Sequence, residues 1–204
     1  VDKKLGSHMF TLSPDGSIAA AAVSESNVAN YVMLFDVYDN FRIIHQTPTQ
    51  KHRIDSLAFS SDGKTLAMGG ADQQIQRLDL ASKQFIGTPF LAKGYITWVD
   101  FIRNDEILLT RNDHHSLVLW DAATGSRIGP PLQSRSHIEL LGVHPKGESI
   151  LIGTRGNMAM NWRLPQPVQG SLSEIKQWIE AITEMEMQPN DSFHSIDIAK
   201  RSKR

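Results

Sequence analysis

Short stretches of alternating apolar and polar residues fill most of the chain up to Leu164, each closed by a cluster of Ser, Asp, Asn or Gly. In one example, residues 54–59 alternate, Ser60-Ser61-Asp62-Gly63 makes a turn, and 65–68 forms a second strand. Gly69-Gly70-Ala71-Asp72 then turns again, 75–80 is a third strand, and a fourth begins at Phe85. Asp bonds its own backbone in such turns and Gly accepts positive φ. The pattern therefore predicts sheet rather than helix.

The same unit recurs. Phe10-Thr11-Leu12-Ser13-Pro14-Asp15-Gly16 lines up with Leu57-Ala58-Phe59-Ser60-Ser61-Asp62-Gly63. Val99-Asp100-Phe101-Ile102-Arg103-Asn104-Asp105 and Leu141-Gly142-Val143-His144-Pro145-Lys146-Gly147 follow, with steps of 47, 42 and 42 residues. A second anchor, Phe35-Asp36, Leu78-Asp79, Trp120-Asp121 and Trp162-Arg163, steps by 43, 42 and 42. The surplus of the first unit falls in the polar stretch from Ser24 to Asn30, which reads as a lengthened loop. Gly6-Ser7-His8-Met9 looks like a cloning remnant, yet Met9 and Phe10 already belong to the first alternating strand.

A four-stranded unit of this length has the size of one propeller blade. A lone blade leaves both faces uncovered, so blades stack around an axis. The expected fold class is all-β: a β-propeller segment of about four four-stranded blades over 8–50, 51–92, 93–134 and 135–165, with a C-terminal α-helical tail over 166–204. Trp120 and Trp162 are expected in equivalent places on successive third strands.

The tail departs from the strand pattern. Pro165-Gln166-Pro167-Val168-Gln169-Gly170 breaks the sheet, because proline cannot serve a central ladder. Ser171 and Glu174 have the spacing of a capping box. Leu172, Ile175, Trp178, Ile179, Ile182 and Met185 then recur at helical steps. An amphipathic helix over 172–187 is expected, docked through Leu172, Ile175, Trp178 and Ile182 and ended by Gln188-Pro189-Asn190-Asp191.

The unit resembles the WD repeat, which opens on a sequence like F-S-P-D-G and closes its third strand with W-D. Trp120-Asp121 matches that pair fully, Phe35-Asp36 and Leu78-Asp79 in part, and Trp162-Arg163 at the Trp. His52 and His137 stand near the place of the family's Gly-His pair, without the Gly. A narrower resemblance lies in Leu164-Pro165, Pro167-Val168, Gly170, Trp178-Ile179 and Thr183, with Glu184 where that pattern has Gly. Ile128-Gly129-Pro130-Pro131-Leu132, echoed by Ile86-Gly87-Thr88-Pro89-Phe90, adds to it. These features are similar to the C-terminal blades and tail of long bacterial WD-repeat proteins, some fused to serine/threonine kinases. That resemblance implies a larger regulatory host, with docking or sensing for a kinase as an alternative role.

Composition narrows the chemistry. The formal net charge is −1, which gives no footing for nucleic acid, whose binders are clearly basic. No apolar run reaches the eighteen residues of a membrane span. The absence of cysteine excludes disulfides, thiolate metal sites and a cysteine nucleophile. It also fits a reducing compartment, so a cytoplasmic location is expected.

Asn112-Asp113-His114-His115 is the one cluster suggestive of a metal, but adjacent histidines in a strand point to opposite faces. It reads as a turn. His8, His45, His144 and His194 are scattered, and Asp15, Asp62, Asp72 and Asp113 read as turn residues. No phosphate loop and no Gly-x-Ser-x-Gly elbow is present. The basic end, Lys200-Arg201-Ser202-Lys203-Arg204, reads as a solvated terminus. No catalytic residue, cofactor or metal is expected; a propeller enzyme or metal-binding propeller, with its site in the central channel, is the alternative.

What the pattern leaves is surface. Propeller rims bind because their loops vary without disturbing the blades. On the rim formed by the second-to-third-strand loops and the interblade loops, Arg53, Tyr95, Arg111, Arg135 and Arg155 are the candidate contacts to a protein or peptide, residue types enriched at interface hot spots. The fourth unit lacks an outermost strand unless 191–198 supply it. An open arc would also bare Phe10 and Leu12, to be covered by further blades from the same protein or from a second copy.

Overall fold

The computed structural model describes residues 7–25, 29–155, 158–164, 185–187 and 193–195. The chain divides into two compact units, Val1–Leu164 and Pro165–Arg204. No helix is present among the described residues.

The first unit is a succession of antiparallel meanders. Blade 1 is β1 (Ser7–Leu12), β2 (Ile18–Glu25), β3 (Ala29–Asp36) and β4 (Arg42–Gln46). Blade 2 is β5 (Ile54–Phe59), β6 (Thr65–Gly70), β7 (Gln74–Asp79) and β8 (Phe90–Leu91). Blade 3 is β9 (Ile96–Ile102), β10 (Ile107–Asn112), β11 (Ser116–Asp121) and β12 (Leu132–Gln133). Blade 4 is β13 (Ile138–Val143), β14 (Ser149–Thr154) and β15 (Ala159–Arg163), a sheet of three strands.

Register repeats with the blades. Leu78 pairs with Leu66, Trp120 with Leu108 and Trp162 with Ile150, so the two tryptophans occupy equivalent places. The turns also repeat. Ser13 Oγ accepts from Ile18 N and donates to Asp15, whose carboxylate accepts from Ser17 N. Ser60, Thr65, Asp62 and Lys64 make the same set of bonds one blade later. Because it collects these donors, the Asp15 carboxyl is held down to about 2.

Apolar cores lie between blades, not within them. Ala20, Ala22, Val32 and Leu34 of blade 1 pack on Leu57, Phe59, Leu66 and Met68 of blade 2. Ala58, Ala67 and Ile75 of blade 2 pack on Val99, Leu108, Val118 and Trp120 of blade 3. Leu109, Leu117 and Leu119 of blade 3 pack on Ile138, Ile150 and Ile152 of blade 4. Successive strand residues face opposite sides, so Leu108 and Leu109 serve different cores. This is why the second strands read as unbroken apolar runs.

Three expectations need correction. The polar stretch from Ser24 to Asn30 is mostly strand: Ser24 pairs with Asn30 and Glu25 with Ala29. The surplus residues lengthen the hairpin, whose β2 and β3 have eight residues each. The facing strand residues Ser24 and Asn30 are also joined by their side chains, Ser24 Oγ donating to Asn30 Oδ1 at 2.8 Å.

The fourth strand of blade 2 does not run on from Phe85. Phe85 bridges Leu78 alone, and pairing resumes only at Phe90. Gly87, at φ 60°, and Pro89 interrupt it, since the one turns the chain and the other has no N–H to donate. Arg127, Gly129 and Leu132 repeat the break in blade 3.

The third correction is in the tail. Of the helix expected over 172–187, the described residues Met185–Met187 (β16) are strand instead, paired antiparallel with Phe193–Ser195 (β17). Glu184-Met185-Glu186-Met187 alternates with period two before the turn-forming Gln188-Pro189-Asn190-Asp191, a hairpin pattern. Of the 191–198 stretch, the described Phe193–Ser195 pairs with Met185–Met187. Leu172, Ile175, Trp178, Ile179, Ile182 and the basic end 200–204 lie outside the described residues.

Candidate functional site

In blades 2 to 4, the first strand starts and the second strand ends at the same rim. Three residues spaced one period apart fill the same place there: the carbonyl of Arg53 accepts from Ala71 N, that of Tyr95 from Asp113 N, and that of His137 from Arg155 N. The hydrogen bond closes the blade, and the side chains of the first set are left to reach neighbouring blades.

They do reach them. Arg53 Nη2 donates to Tyr95 Oη at 2.7 Å, and Tyr95 Oη donates to Asp55 Oδ2 at 2.6 Å. Arg53 Nε and Asp55 Oδ1 are 2.6 Å apart, closing a three-membered network across the blade 2–blade 3 joint. The network raises the guanidinium of Arg53, chiefly through Tyr95 and then Asp55. Burial raises the Tyr95 phenol, and its bond to Asp55 adds to that. Asp113 Oδ1 accepts from Tyr95 N at 2.8 Å, so this turn carboxylate fixes the strand entry of its own blade.

At the next joint Arg111 takes the bridging part. Its Nε donates to Thr97 Oγ1 at 2.9 Å and its Nη1 to the Ile138 carbonyl of blade 4 at 3.0 Å. Burial lowers this guanidinium. Arg155 Nε stands 3.7 Å from Glu139 Oε1. Arg135 is exposed on the loop that enters blade 4. The five residues read from the sequence therefore share one rim, and four of them are engaged in fixing it.

Asn112-Asp113-His114-His115 is the turn that its sequence suggested, between β10 and β11, with Asp113 and His114 at φ of 48° and 60°. What the sequence did not show is where its two imidazoles reach. Both reach His137 of blade 4, His114 by stacking at 4.4 Å and His115 edge-on at 5.2 Å between ring centroids. Burial lowers the His114 imidazole, and the positive charge of Arg111 lowers it further. Stacked rings hold their lone pairs in parallel planes. Among the described residues no group of three or more His, Asp or Glu is placed to hold a metal. The spacing Arg53, Tyr95, His137 at one period was the available signal.

Beneath this rim, blade 3 carries a buried polar relay. Trp120 Nε1 donates to Thr110 Oγ1, Thr110 Oγ1 donates to Asn112 Oδ1 at 2.8 Å, and Asn112 Nδ2 donates to the Lys93 carbonyl at 3.0 Å. No histidine takes part in it. Blade 2 has Leu78, Met68 and Gly70 at the corresponding places and closes without such bonds.

The opposite rim is tied differently. Asp105 of blade 3 accepts from Ser61 N at 2.8 Å, from Ser61 Oγ at 2.6 Å and from Asp62 N at 3.3 Å of blade 2. Arg77 donates to the Ala122 carbonyl and lies 4.4 Å from the Phe90 ring centre. A cleft of about 310 Å³ opens beside them, lined by Arg77, Phe101, Asp105 and Asp121. The scattered carboxylates there are engaged by turn and interblade bonds.

No family model matches the chain. It is 24% identical over 176 residues to the human U3 small nucleolar RNA-associated protein 4 homolog, covering 82% of this chain and 25% of that protein. The mouse protein of the same name is 25% identical over 179 residues. Retinoblastoma-binding-like protein E of Dictyostelium discoideum is 32% identical over 97 residues, which are 47% of this chain and 18% of that protein. The chain thus spans about a quarter of the length of the first relatives. Among solved structures it resembles the RRP9 WD40 repeats, with a TM-score of 0.66 and 20% identity, over 83% of this chain and 52% of that one. The fold is that of WD40 propeller blades.

Proposed function

We propose that this chain is a WD40-repeat interaction scaffold that is not itself an enzyme, presenting to a protein or peptide partner the rim that carries Arg53, Tyr95, Arg111, Arg135 and Arg155. The observation that carries the reading is the blade-to-blade network of Arg53, Tyr95 and Asp55. Side chains already held in one geometry lose little conformational freedom when a partner arrives. Arg135 and the imidazole edges of His114 and His115 sit on that fixed ground as the adaptable contacts.

The finer parts of the proposal rest on the resemblance of the tail and on the share of the relatives that the chain spans. They are a larger regulatory host, bacterial and cytoplasmic, with docking for a serine/threonine kinase as the alternative setting.

A photo-reactive phenylalanine analogue at Arg135, introduced in cells that make the protein, is expected to trap one discrete partner. The same group at Lys64, on the opposite rim, is expected to trap little. Equal trapping at both places, or none at Arg135, overturns the proposal.

A further inference from the structure

A groove follows the fourth-strand edge of the joint between blades 1 and 2, two complete blades away from the open end of blade 4. One wall is 45–50, held to β3 where Thr47 N donates to the Val32 carbonyl and Gln50 N to that of Asn30. The other is 83–89, held to β7 where Asp79 N donates to the Gln84 carbonyl and Ile86 N to that of Arg77. The groove widens into two hollows of about 340 and 240 Å³ that share Phe85. Together they have the size of a ligand cleft, about 300–1,000 Å³. None of the five rim candidates lines either hollow.

Among the described residues, the buried side-chain nitrogen and oxygen atoms without a hydrogen-bond partner are His45 Nε2 and Gln76 Oε1. His45 lines the larger hollow and Gln76 the smaller. A bulge places the first. Leu34 pairs with His45 and Phe35 with Ile43, which turns His45 to the side of Leu34, facing blade 2. Bulges re-aim side chains in this way. The second is out of pattern, since Met33, Val118 and Met160 hold the place of Gln76 in the other blades. The repeat is built with an apolar residue there, so the fold does not call for the amide. Gln76 Nε2 donates to Gln50 Oε1 at 3.5 Å, which leaves Oε1 as an open acceptor. A buried polar atom without a partner is costly, and the terminal torsions of His and Gln are broad. An occupant with matching groups can thus draw both atoms into the hollows.

Charge selects that occupant. Lys83 shares the larger hollow with His45, and no carboxylate lines either hollow. Burial lowers the His45 imidazole, and the positive charge of Lys83 lowers it further. Asp79, at the base of the Lys83 turn, is taken up by Ser82 N and Oγ. Phe85, Ile86 and Pro89 give the smaller hollow an apolar wall. Two hollows joined in this way suit a chain that seats successive side chains. We infer that the groove receives an extended acidic peptide segment of a partner protein, with a carboxylate between His45 and Lys83 and a neighbouring apolar side chain against Phe85, Ile86 and Pro89. Gln76 Oε1 accepts from a peptide N–H of that segment.

The test is a display library of random seven-residue peptides selected on the whole chain, with the enriched peptides then measured by fluorescence polarisation. They are expected to carry Asp or Glu one or two positions from Leu, Ile, Met or Phe. Lys83→Glu should weaken their binding about tenfold or more, since like charges then face each other. Lys146→Glu makes the same charge change on an exposed turn of blade 4 and should leave binding intact. Gln76→Met installs the residue of blades 1 and 4, so it should melt no lower than the unaltered chain. It should nevertheless bind about three- to tenfold more weakly, the size of one hydrogen bond. Enrichment of basic or neutral peptides overturns the inference, and so does no enrichment at all. Acidic peptides that bind either groove variant as well as the unaltered chain also overturn it, because they sit elsewhere. The rim proposal is judged separately by trapping at Arg135, so either can fail alone.

Discussion

Trp120 donates its indole N–H to the Thr110 hydroxyl across 3.0 Å, and both side chains are buried at the joint of blades 2 and 3. Thr110→Val keeps the shape of the side chain and removes the acceptor. The indole N–H and the Asn112 carbonyl would then lose their partner, at a cost of about 2 kcal/mol. Thr110→Met combined with Trp120→Leu installs the pair Met68 and Leu78 of blade 2. The double variant should lose less than the sum of its parts. Urea denaturation of the four proteins in the cycle checks this, and strict additivity would remove the coupling.

Asp100 gives the fold a pH dependence. Burial in β9 pushes its carboxyl up to about 6, and among the described residues Phe101 N donates to it. Unfolded, the group ionises near pH 3.9. Below about pH 4 both states are protonated and the native protein feels no penalty. Between about pH 4 and 6 the unfolded chain ionises first, so stability falls as pH rises, by about 3 kcal/mol in all. Asp100→Asn should therefore raise the melting temperature at pH 7 and flatten the profile between pH 4 and 6. An unchanged slope would locate the titration elsewhere.

Two glycines separate backbone strain from packing. Gly125 and Gly129 have φ of 74° and 69°, but only Gly125 is crowded. A Cβ there would lie 2.2 Å from Phe90 Cδ1, whereas nothing lies within 4 Å at Gly129. Gly129→Ala should cost about 1 kcal/mol, the conformational part alone. Gly125→Ala should cost more, about 2–4 kcal/mol, because Phe90 must move within the blade 2–blade 3 core. Equal losses in thermal melts would mean that Phe90 yields freely.

Tyr95→Phe removes the hydroxyl shared by Arg53 and Asp55 while leaving their ion pair, 2.6 Å apart, in place. A loss of about 1 kcal/mol is expected. It should diminish in Asp55→Asn, where the acceptor is weaker. If Tyr95→Phe costs the same in both backgrounds, the hydroxyl is not coupled to Asp55.

The blade period was legible because every blade must repeat the same two-faced burial, which leaves Leu57, Val99 and Leu141 one period apart. The rim was half legible. Arg and Tyr announce themselves by type, but the role of Asp55 depends on a neighbour 40 residues away. The contact of His114 and His115 with His137 depends on left-handed backbone in a turn, which no alternation rule describes. In the tail, a helical spacing and a strand alternation overlap at Met185, and pairing with Ser195 decided between them. The broken fourth strands were visible as Ile-Gly-x-Pro phrases, though their meaning lay in which N–H groups the partner strand needed.

Because each core is shared by two neighbouring blades, equivalent residues are interchangeable as junctions. A recombination event joining Leu57 to Asp100 would delete one whole period yet leave a first strand with the same order of inward and outward residues. The remaining neighbours would meet surfaces of a kind they already contact. A deletion one residue longer or shorter would turn the strand over and set its polar side against the next core. Genes of this architecture are thus expected to lengthen and shorten by whole blades, with the fourth residue of each first strand as a permitted crossover point.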